Sequence, residues 1–239
     1  MTVPDIELSG VVKNYGKTTA LNSISFRIMP GERYSLLGPN GAGKSTTLKL
    51  IAGLLEPDMG DVMVGGHRAG SNEAKALIGY LPEDAIPYGV LSVRENIEYM
   101  AALRGVSDPE ARTEEMLEIL SLKQMEKYKV QKLSRGNRQK TAIAMALIHK
   151  PRIAILDEPL NYLDIPTQEQ VVDFLESLGA TFLVSTHIMS IAEKLTDSAI
   201  IITHGNIVYS GPLDNIRKST DETIERAVAR MMEDEVHTE

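Results

Sequence analysis

One eight-residue stretch constrains this chain more than any other part of its sequence. It fits the pattern G-x-x-x-x-G-K-[ST] of a phosphate-binding loop and reads Gly38-Pro39-Asn40-Gly41-Ala42-Gly43-Lys44-Ser45. Glycines let such a loop wrap tightly and aim its backbone N–H groups at an anion. The pattern predicts that the whole loop, with Thr46 after it, holds the phosphates of a nucleotide. Lys44 is expected on the β- and γ-phosphates, and the Ser45 hydroxyl on Mg²⁺.

The residues on either side of the loop provide the strand–loop–helix context that this motif requires. Residues 34–37 form a short apolar strand candidate before the loop. After it, apolar residues recur at helical spacing, namely Thr47, Leu48, Leu50, Ile51, Leu54 and Leu55. We expect the helix to stop at residues 56–58 and Gly60. The motif alone leaves the class of nucleotide binder open, because nucleoside kinases, GTPases and motor ATPases all carry it.

The order of the remaining segments predicts an α/β fold, with a phosphate-loop core built on a mostly parallel sheet. Strand and helix patterns alternate from Ile153 onward. The beginning of the chain differs, because residues 6–12, 20–28 and 61–64 read as strands of an antiparallel β subdomain. Apolar stripes at helical spacing predict a helical subdomain, about 84–150, inserted in the core of a single domain over 1–239.

The end of the chain predicts a hairpin followed by a helical tail. Apolar runs at 200–202 and 207–209 flank a turn at 204–206. The tail, about 213–239, carries an amphipathic pattern at helical spacing, formed by Ile224, Ala227, Val228, Met231 and Met232. Two interpretations of this helix stay open, docking on the parent domain and contact with a partner.

Composition excludes several kinds of chemistry. The chain has no cysteine, so disulfides, zinc–thiolate clusters and thiol catalysis are unavailable, which fits a reducing cytosol. No apolar run approaches the ~20 residues of a membrane-spanning helix, and the N-terminus lacks a signal-peptide pattern. The net charge of −8 disfavours nucleic acid as a partner. The stretch 123–140 is locally basic, either as a solvated face or because it lies near phosphate.

A second acidic motif belongs with the phosphate loop. Four apolar residues from Ile153 predict a buried strand, and Asp157 and Glu158 follow them directly. A carboxylate at the end of such a strand lies beside the loop, where Asp157 can hold the Mg²⁺ shell, usually through water. Glu158 lies one residue further and can polarise an attacking water as a general base.

The segment Leu133-Ser134-Arg135-Gly136-Asn137 resembles the L-S-G-G-Q signature of ATP-binding-cassette (ABC) ATPases. Ser134 can cap the N-terminus of the helix that follows, which makes this helix end a second anion site. The resemblance implies that Ser134 and Gly136 cover the γ-phosphate held by a second ATPase subunit. Two ATP molecules would then lie between two chains in a head-to-tail dimer.

Further residues fall into the order of the same family over nearly the whole chain. Tyr15 matches the aromatic residue that stacks on adenine, and His187 matches the switch histidine near the γ-phosphate. Residues 163–164 match the end of the D-loop, which contacts the second subunit. Glu83 occupies the Q-loop position, which implies a role at Mg²⁺ and in sensing the membrane partner.

Four residues depart from the usual pattern of the family. Glu83 stands where the family usually has Gln, and Arg135 replaces the first signature glycine. Asn137 replaces the signature Gln, and Tyr162 stands where the D-loop usually has Gly or Ala. The combination of Glu83 with Ser-x-Gly-Asn resembles ATPases that serve ABC-2-type export permeases.

The resemblance implies an ATP-hydrolysing, nucleotide-binding subunit that uses ATP and Mg²⁺ and energises separate integral membrane permease subunits, as an exporter. It would lie peripherally on the cytoplasmic face of the membrane, paired with a copy of itself or with a paralogue. One alternative is a soluble ABC ATPase acting on nucleic acid or the ribosome, although such proteins usually carry two cassettes, a long coiled coil or zinc insertions. Another is a non-hydrolysing scaffold, which an intact Lys44, Asp157 and Glu158 disfavour.

Overall fold

Two β-sheets with helices packed around them form the computed structural model, which describes residues 2–216, 223 and 226–231. The strands are, in chain order, β1 (Ile6–Tyr15), β2 (Thr18–Ile28), β3 (Arg33–Leu37), β4 (Met59–Val64), β5 (His67–Arg68), β6 (Ile78–Leu81), β7 (Ile153–Asp157), β8 (Thr181–Ser185), β9 (Ser198–Thr203) and β10 (Asn206–Pro212). The helices are α1 (Lys44–Ile51), α2 (Asn72–Leu77), α3 (Val93–Leu103), α4 (Pro109–Ile119), α5 (Arg135–Leu147), α6 (Ile165–Ser177) and α7 (Met189–Leu195).

The larger sheet carries the phosphate loop. Its six strands run in the order β10-β9-β3-β8-β7-β6. All neighbouring pairs are parallel except β9 and β10, which form an antiparallel hairpin. The carboxyl ends of β3, β7 and β8 therefore meet at one edge, where ligands of α/β folds bind.

The smaller sheet is antiparallel throughout, in the order β2-β1-β4-β5. The predicted α/β fold with a mostly parallel sheet and an antiparallel β subdomain is confirmed. The structure extends the first predicted strand to Tyr15 and adds β5, which the sequence pattern did not predict. The turn of the β9–β10 hairpin is His204-Gly205, with φ of 46° and 79°, and Asn206 already belongs to β10.

The helix after the phosphate loop is shorter than the sequence pattern predicts. It ends at Ile51, and the predicted stop at residues 56–58 and Gly60 is wrong. Gly53, at φ 68°, donates its N–H to the Leu50 carbonyl, and Leu54 donates to the Lys49 carbonyl. This pair of bonds is the glycine-dependent Schellman ending of a helix. It leaves the Leu54 side chain 61% exposed.

Three helices, α3, α4 and α5, pack on one another through a common apolar core that includes Ile97, Met116 and Ile143. The N-cap of α4 is Asp108 and its first residue is proline, as predicted. α3 begins with a capping box, in which Ser92 and the helix's third residue, Glu95, bond to each other's backbone N–H groups. That these helices form one subdomain, about 84–150, inserted in the core stays a prediction.

A helical segment at 226–231 covers part of the larger sheet. Ala227 and Val228 are buried in a cluster with Leu37, Ala199 and Ile201. This contact favours the docked interpretation of the predicted tail helix, whose Ile224 and Met232 lie outside the described residues. Among the residues that the structure describes, no helix is long and apolar enough to cross a membrane.

A buried carboxylate joins the two sheets. Asp5 is fully buried just before β1, and its Oδ1 lies 2.6 Å from the Arg152 guanidinium. Its Oδ2 accepts a hydrogen bond from the Thr181 hydroxyl at the start of β8. The first strand of the smaller sheet is therefore tied to the larger sheet by a charge that water cannot reach.

We predict that Asp5→Ala destabilises the chain by about 2 kcal/mol, because it removes the charged partner of the half-exposed Arg152 and the acceptor of the buried Thr181 hydroxyl. Urea unfolding would measure the change in the free energy of unfolding. The matched control is Asp61→Ala, an exposed aspartate of β4, for which we expect no more than about 0.5 kcal/mol. Equal effects of the two substitutions would contradict the structural role of Asp5.

Candidate functional site

The phosphate loop connects β3 to α1, and Lys44 closes it. Gly43 is the N-cap of α1, at a φ of 111° that favours glycine. The Lys44 ammonium folds back and donates to the carbonyls of Gly38 and Pro39, at 2.7 and 3.0 Å. Burial lowers the pKa of Lys44, against the carboxylates of Glu158 and Asp157, which raise it. Phosphate oxygens are stronger acceptors than carbonyls, so the same ammonium is poised to exchange these bonds for a nucleotide.

Most of the predicted site residues line one cleft of about 530 Å³ beside this loop. Those in its wall are Tyr15, Asn40, Gly41, Gly43, Lys44, Ser45, Thr46, Glu83, Asp157 and Glu158. They come from the smaller sheet, from the loop and α1, and from the ends of β6 and β7. The sequence pattern missed Thr18, Thr19 and Ala20, which extend the cleft wall from Tyr15 along β2.

The acidic edge of the cleft holds a further residue that the sequence motifs did not indicate. Ser185 ends β8, opposite Asp157 in the parallel register, and is fully buried. Ser185 is one of the residues that line the cleft, and its buried hydroxyl has no hydrogen-bond partner among the described residues. A buried hydroxyl rarely stays unpaired, so this group fits a site that a polar ligand completes. Its position at the end of a parallel strand beside β7 was the available signal.

Glu158 is held in a strained backbone conformation, with φ of 49°. Its N–H donates to the Ser185 carbonyl at 2.9 Å, and the buried Gln139 amide donates to the next carbonyl, that of Pro159, at 2.9 Å. The Glu158 Oε1 atom lies 2.8 Å from His187 Nδ1. Burial raises the pKa of Glu158, and the His187 contact acts in the opposite direction. The carboxylate is thus aimed at the cleft as a base stronger than an exposed glutamate.

Several predicted residues lie outside the cleft wall. Gly38, Pro39 and Ala42 belong to the loop but do not line the cleft, and Ala42 is buried. The His187 side chain is 64% exposed and reaches the site only through its contact with Glu158. Because this side chain is exposed, it is free to turn toward a bound nucleotide.

Ser134 and Gly136 lie in a separate hollow of about 510 Å³. Ser134 is the N-cap of α5 and accepts the Asn137 N–H at 3.3 Å, as the sequence predicts. The hollow is lined by Ser134, Arg135, Gly136, Asn137, Lys140, Tyr162, Leu163, Asp164 and Thr167, and it shares no residue with the cleft. One chain therefore keeps its signature segment apart from its own phosphate loop.

Two of the departures from the family pattern contact each other. The Arg135 guanidinium lies 5.4 Å from the centre of the Tyr162 ring, a cation–π distance. Tyr162 has φ of 67°, and its carbonyl lies so close to α5 that a Cβ at Gly136 would approach it to 2.9 Å. The backbone at Tyr162 is thus packed against the first turn of α5. The large aromatic ring fits because it points outward and lies against Arg135.

Comparison with known proteins agrees with this arrangement. The family model described as "ABC transporter" matches residues 21–161, which is more than half of the chain. The linearmycin resistance ATP-binding protein LnrL of Bacillus subtilis (strain 168) is 36% identical over 213 residues, covering 86% of this chain and 68% of that protein. The lantibiotic transport ATP-binding protein SrtF of Streptococcus pyogenes is 35% identical over 212 residues, covering 87% and 91%.

A solved structure shares the fold. It is a dimeric ATP-binding cassette in a post-hydrolysis state, bound to ADP and Pi. The two folds superpose with a TM-score of 0.79 at 27% identity, covering 87% of this chain and 98% of the cassette.

We predict that His187→Ala raises the pKa of Glu158 further. The substitution removes the contact that favours the charged carboxylate and leaves the burial that disfavours it. Carbon-13 NMR of glutamate side chains as a function of pH measures the shift, with the Glu158→Gln spectrum identifying the signal. The control is His67→Ala, an exposed histidine of β5. A Glu158 pKa that stays constant or falls in His187→Ala would contradict the assigned contact.

Proposed function

The chain belongs to the ABC transporter family and is an ATP-hydrolysing, ATP-binding subunit, and on that premise we propose how its residues divide the reaction. The observation that carries the proposal is the meeting of Lys44, Asp157 and Glu158 in one cleft. A cation for phosphate, a carboxylate for metal and a carboxylate for water are the parts that phosphoryl transfer needs.

The phosphates bind in the loop. Its N–H groups and the N-terminus of α1 face them, and the Lys44 ammonium takes the β- and γ-phosphate oxygens in place of the Gly38 and Pro39 carbonyls. Ser45, Asp157 and Glu83, which all line the cleft, would hold Mg²⁺, and the ion offsets the charge that grows on the phosphates. Tyr15 stacks on the adenine at the far end of the cleft.

Glu158 accepts the proton of the attacking water. Its raised pKa brings its basicity closer to the operating pH, which favours general base catalysis. His187 Nδ1 lies 2.8 Å from the Glu158 carboxylate. We infer that it turns to the γ-phosphate when ATP is bound, which frees Glu158 for the water.

The second half of each site comes from a second subunit. Ser134, the N-terminus of α5 and Gly136 offer donors to an anion, but they lie in a hollow that shares no residue with the chain's own cleft. A head-to-tail pair of chains brings each hollow to the other cleft and places ATP between them. The dimeric form of the solved cassette supports the pairing of two chains, and the head-to-tail arrangement is our proposal.

Integral membrane permease subunits are the proposed partners, and export is the proposed direction. The relatives LnrL and SrtF are named for linearmycin resistance and lantibiotic transport, which fits removal of a compound from the cell. A groove of about 430 Å³ between residues 83–87 and Arg135, Arg138 and Tyr162 offers a place for a permease segment on the cytoplasmic face of the membrane. The alternative of action on nucleic acid is disfavoured by these relatives and by the net charge of −8.

A mixing experiment tests the shared sites. We predict that Ser134→Arg chains bind ATP with unchanged affinity but do not hydrolyse it, because the cation blocks closure without touching the local loop. Lys44→Ala chains lose ATP binding, because no neighbour replaces the ammonium on the phosphates. A mixed dimer has one site with both defects and one with neither, so mixing should restore hydrolysis.

The control is each variant assayed alone at the same total concentration, which should give only background phosphate release. Loss of ATP affinity in Ser134→Arg would place Ser134 in its own chain's site and contradict the proposal. So would a failure of mixing to restore hydrolysis when mass spectrometry shows that mixed dimers form.

A further inference from the structure

The tip of the β1–β2 hairpin decides where the proposed base-stacking residue lies. Tyr15 is the last residue of β1, and a two-residue turn leads to Thr18, the first residue of β2. Both residues line the cleft. The Tyr15 side chain is 50% exposed, and its hydroxyl has no hydrogen-bond partner within the described part of the chain. The backbone of the hairpin must therefore place the ring.

Strand pairing alone does not fix this tip. The register between β1 and β2 shifts between Lys13 and Asn14, and the pairing of β1 with β4 is irregular between Ser9 and Val12. Beyond Val12, which pairs with Met59 of β4, the tip is a two-stranded ribbon of β1 and β2, and such a ribbon is marginally stable without further contacts. Its position depends on groups outside the ladder.

Asp58 supplies those contacts from the segment between α1 and β4. Its Oδ2 accepts the N–H of Asn14, the residue before Tyr15, at 2.6 Å. Its Oδ1 accepts the Lys13 ammonium at 2.9 Å, and its own N–H donates to the Val12 carbonyl at 2.9 Å. One residue thus bonds to each of the three residues that precede Tyr15.

The same group of contacts reaches β2 and the end of the phosphate-loop helix. The Asn14 side chain accepts a hydrogen bond from the Thr19 hydroxyl at 2.9 Å, which ties the opposite strand of the tip. Lys13 also donates to the Glu56 carbonyl, beyond the end of α1, at 2.8 Å. The segment between α1 and β4 therefore holds the β1–β2 hairpin in place. This hairpin carries Tyr15, the proposed base-stacking residue.

The charge of Asp58 is maintained by its partners. The hydrogen bond from Lys13 lowers the pKa of Asp58, and the bond from the Asn14 backbone acts in the same direction. The Lys13 side chain is only 16% exposed, which favours a persistent contact. Asp58 itself does not line the cleft, so it does not touch the nucleotide.

We propose that Asp58 is a positioning residue for ATP, which holds Tyr15 where its ring stacks on the base while leaving the phosphate loop unchanged. This inference rests on the proposed role of Tyr15. It predicts a separation between two ligands, because ATP has a base and inorganic tripolyphosphate has none. Removal of the Asp58 carboxylate should weaken the binding of ATP and leave the binding of tripolyphosphate unchanged.

The experiment is calorimetric titration of the full-length chain with ATP and with tripolyphosphate. We expect Asp58→Ala to weaken ATP binding about tenfold, the scale of one lost base–aromatic stack, and to leave tripolyphosphate binding unchanged. In a Tyr15→Ala background, Asp58→Ala should have no further effect on ATP. The matched control is Asp61→Ala, an exposed aspartate on the adjoining strand with no side-chain hydrogen bond or ion pair to any described residue.

Lys13→Met gives an independent test that does not alter the acceptor for Asn14. It keeps the packed aliphatic chain but removes the bonds to Asp58 and the Glu56 carbonyl, so it should also weaken ATP selectively. Equal losses of ATP and tripolyphosphate binding, or unchanged ATP affinity in both variants, would overturn the inference. If Tyr15→Ala itself leaves ATP affinity unchanged, the proposed base stacking fails. If Tyr15→Ala weakens ATP but the Asp58 effect persists in its background, only the role of Asp58 fails.

Discussion

The phosphate loop keeps its shape because two of its glycines lie directly against backbone atoms of both sheets. A Cβ at Gly38 would lie 2.1 Å from the Ile202 carbonyl of β9, and one at Gly43 would lie 2.6 Å from the Ala20 carbonyl of β2. Both glycines have positive φ, which other residues rarely adopt. The loop therefore contacts the backbone of both the larger and the smaller sheet. Because both sheets meet the loop there, the Tyr15 hairpin and the ends of β7 and β8 line one cleft.

Within the described residues, the cleft wall combines one cation with three carboxylates, a set of charges that fits the proposed binding of a nucleotide together with a metal ion. Lys44 is the single cation in the cleft wall as the structure describes it, and it faces Glu83, Asp157 and Glu158. Three carboxylates would repel bare phosphates, but with a divalent cation they complete its shell and accept a proton from water. The strained backbone of Glu158, tied to Ser185 and close to Gln139, keeps its carboxylate among these groups. We therefore propose that metal and nucleotide binding at this acidic edge depend on each other.

The sequence predicted the parts of the site that local chemistry decides. The glycine loop, the strand that ends at Asp157 and the Ser134 N-cap each need only their own neighbours in the chain, and the structure contains all three. The stop of α1 was misplaced because Gly53, within an otherwise helical pattern, ends the helix by its backbone conformation. The contacts of Asp5 with Arg152 and of Asp58 with Asn14 join residues far apart in the chain, and no spacing rule indicates them. Arg135 and Tyr162 were seen separately as departures, and only the fold shows that they stack.

We propose that each ATP lies between the phosphate loop of one chain and the signature segment of another. Because the chain has no cysteine, introduced thiols are the sole sites for a thiol-specific cross-linker. Asn40→Cys lies in the cleft wall and Asn137→Cys in the hollow. Each is placed in a Glu158→Gln chain, which we expect to bind ATP without turnover because an amide cannot accept the proton of the attacking water. When the two chains are mixed with a short bis-maleimide, we expect a cross-linked Asn40→Cys/Asn137→Cys dimer that forms with ATP and Mg²⁺ and not without them. Cross-linking that ignores ATP, or that joins two Asn40→Cys chains as efficiently, would contradict it.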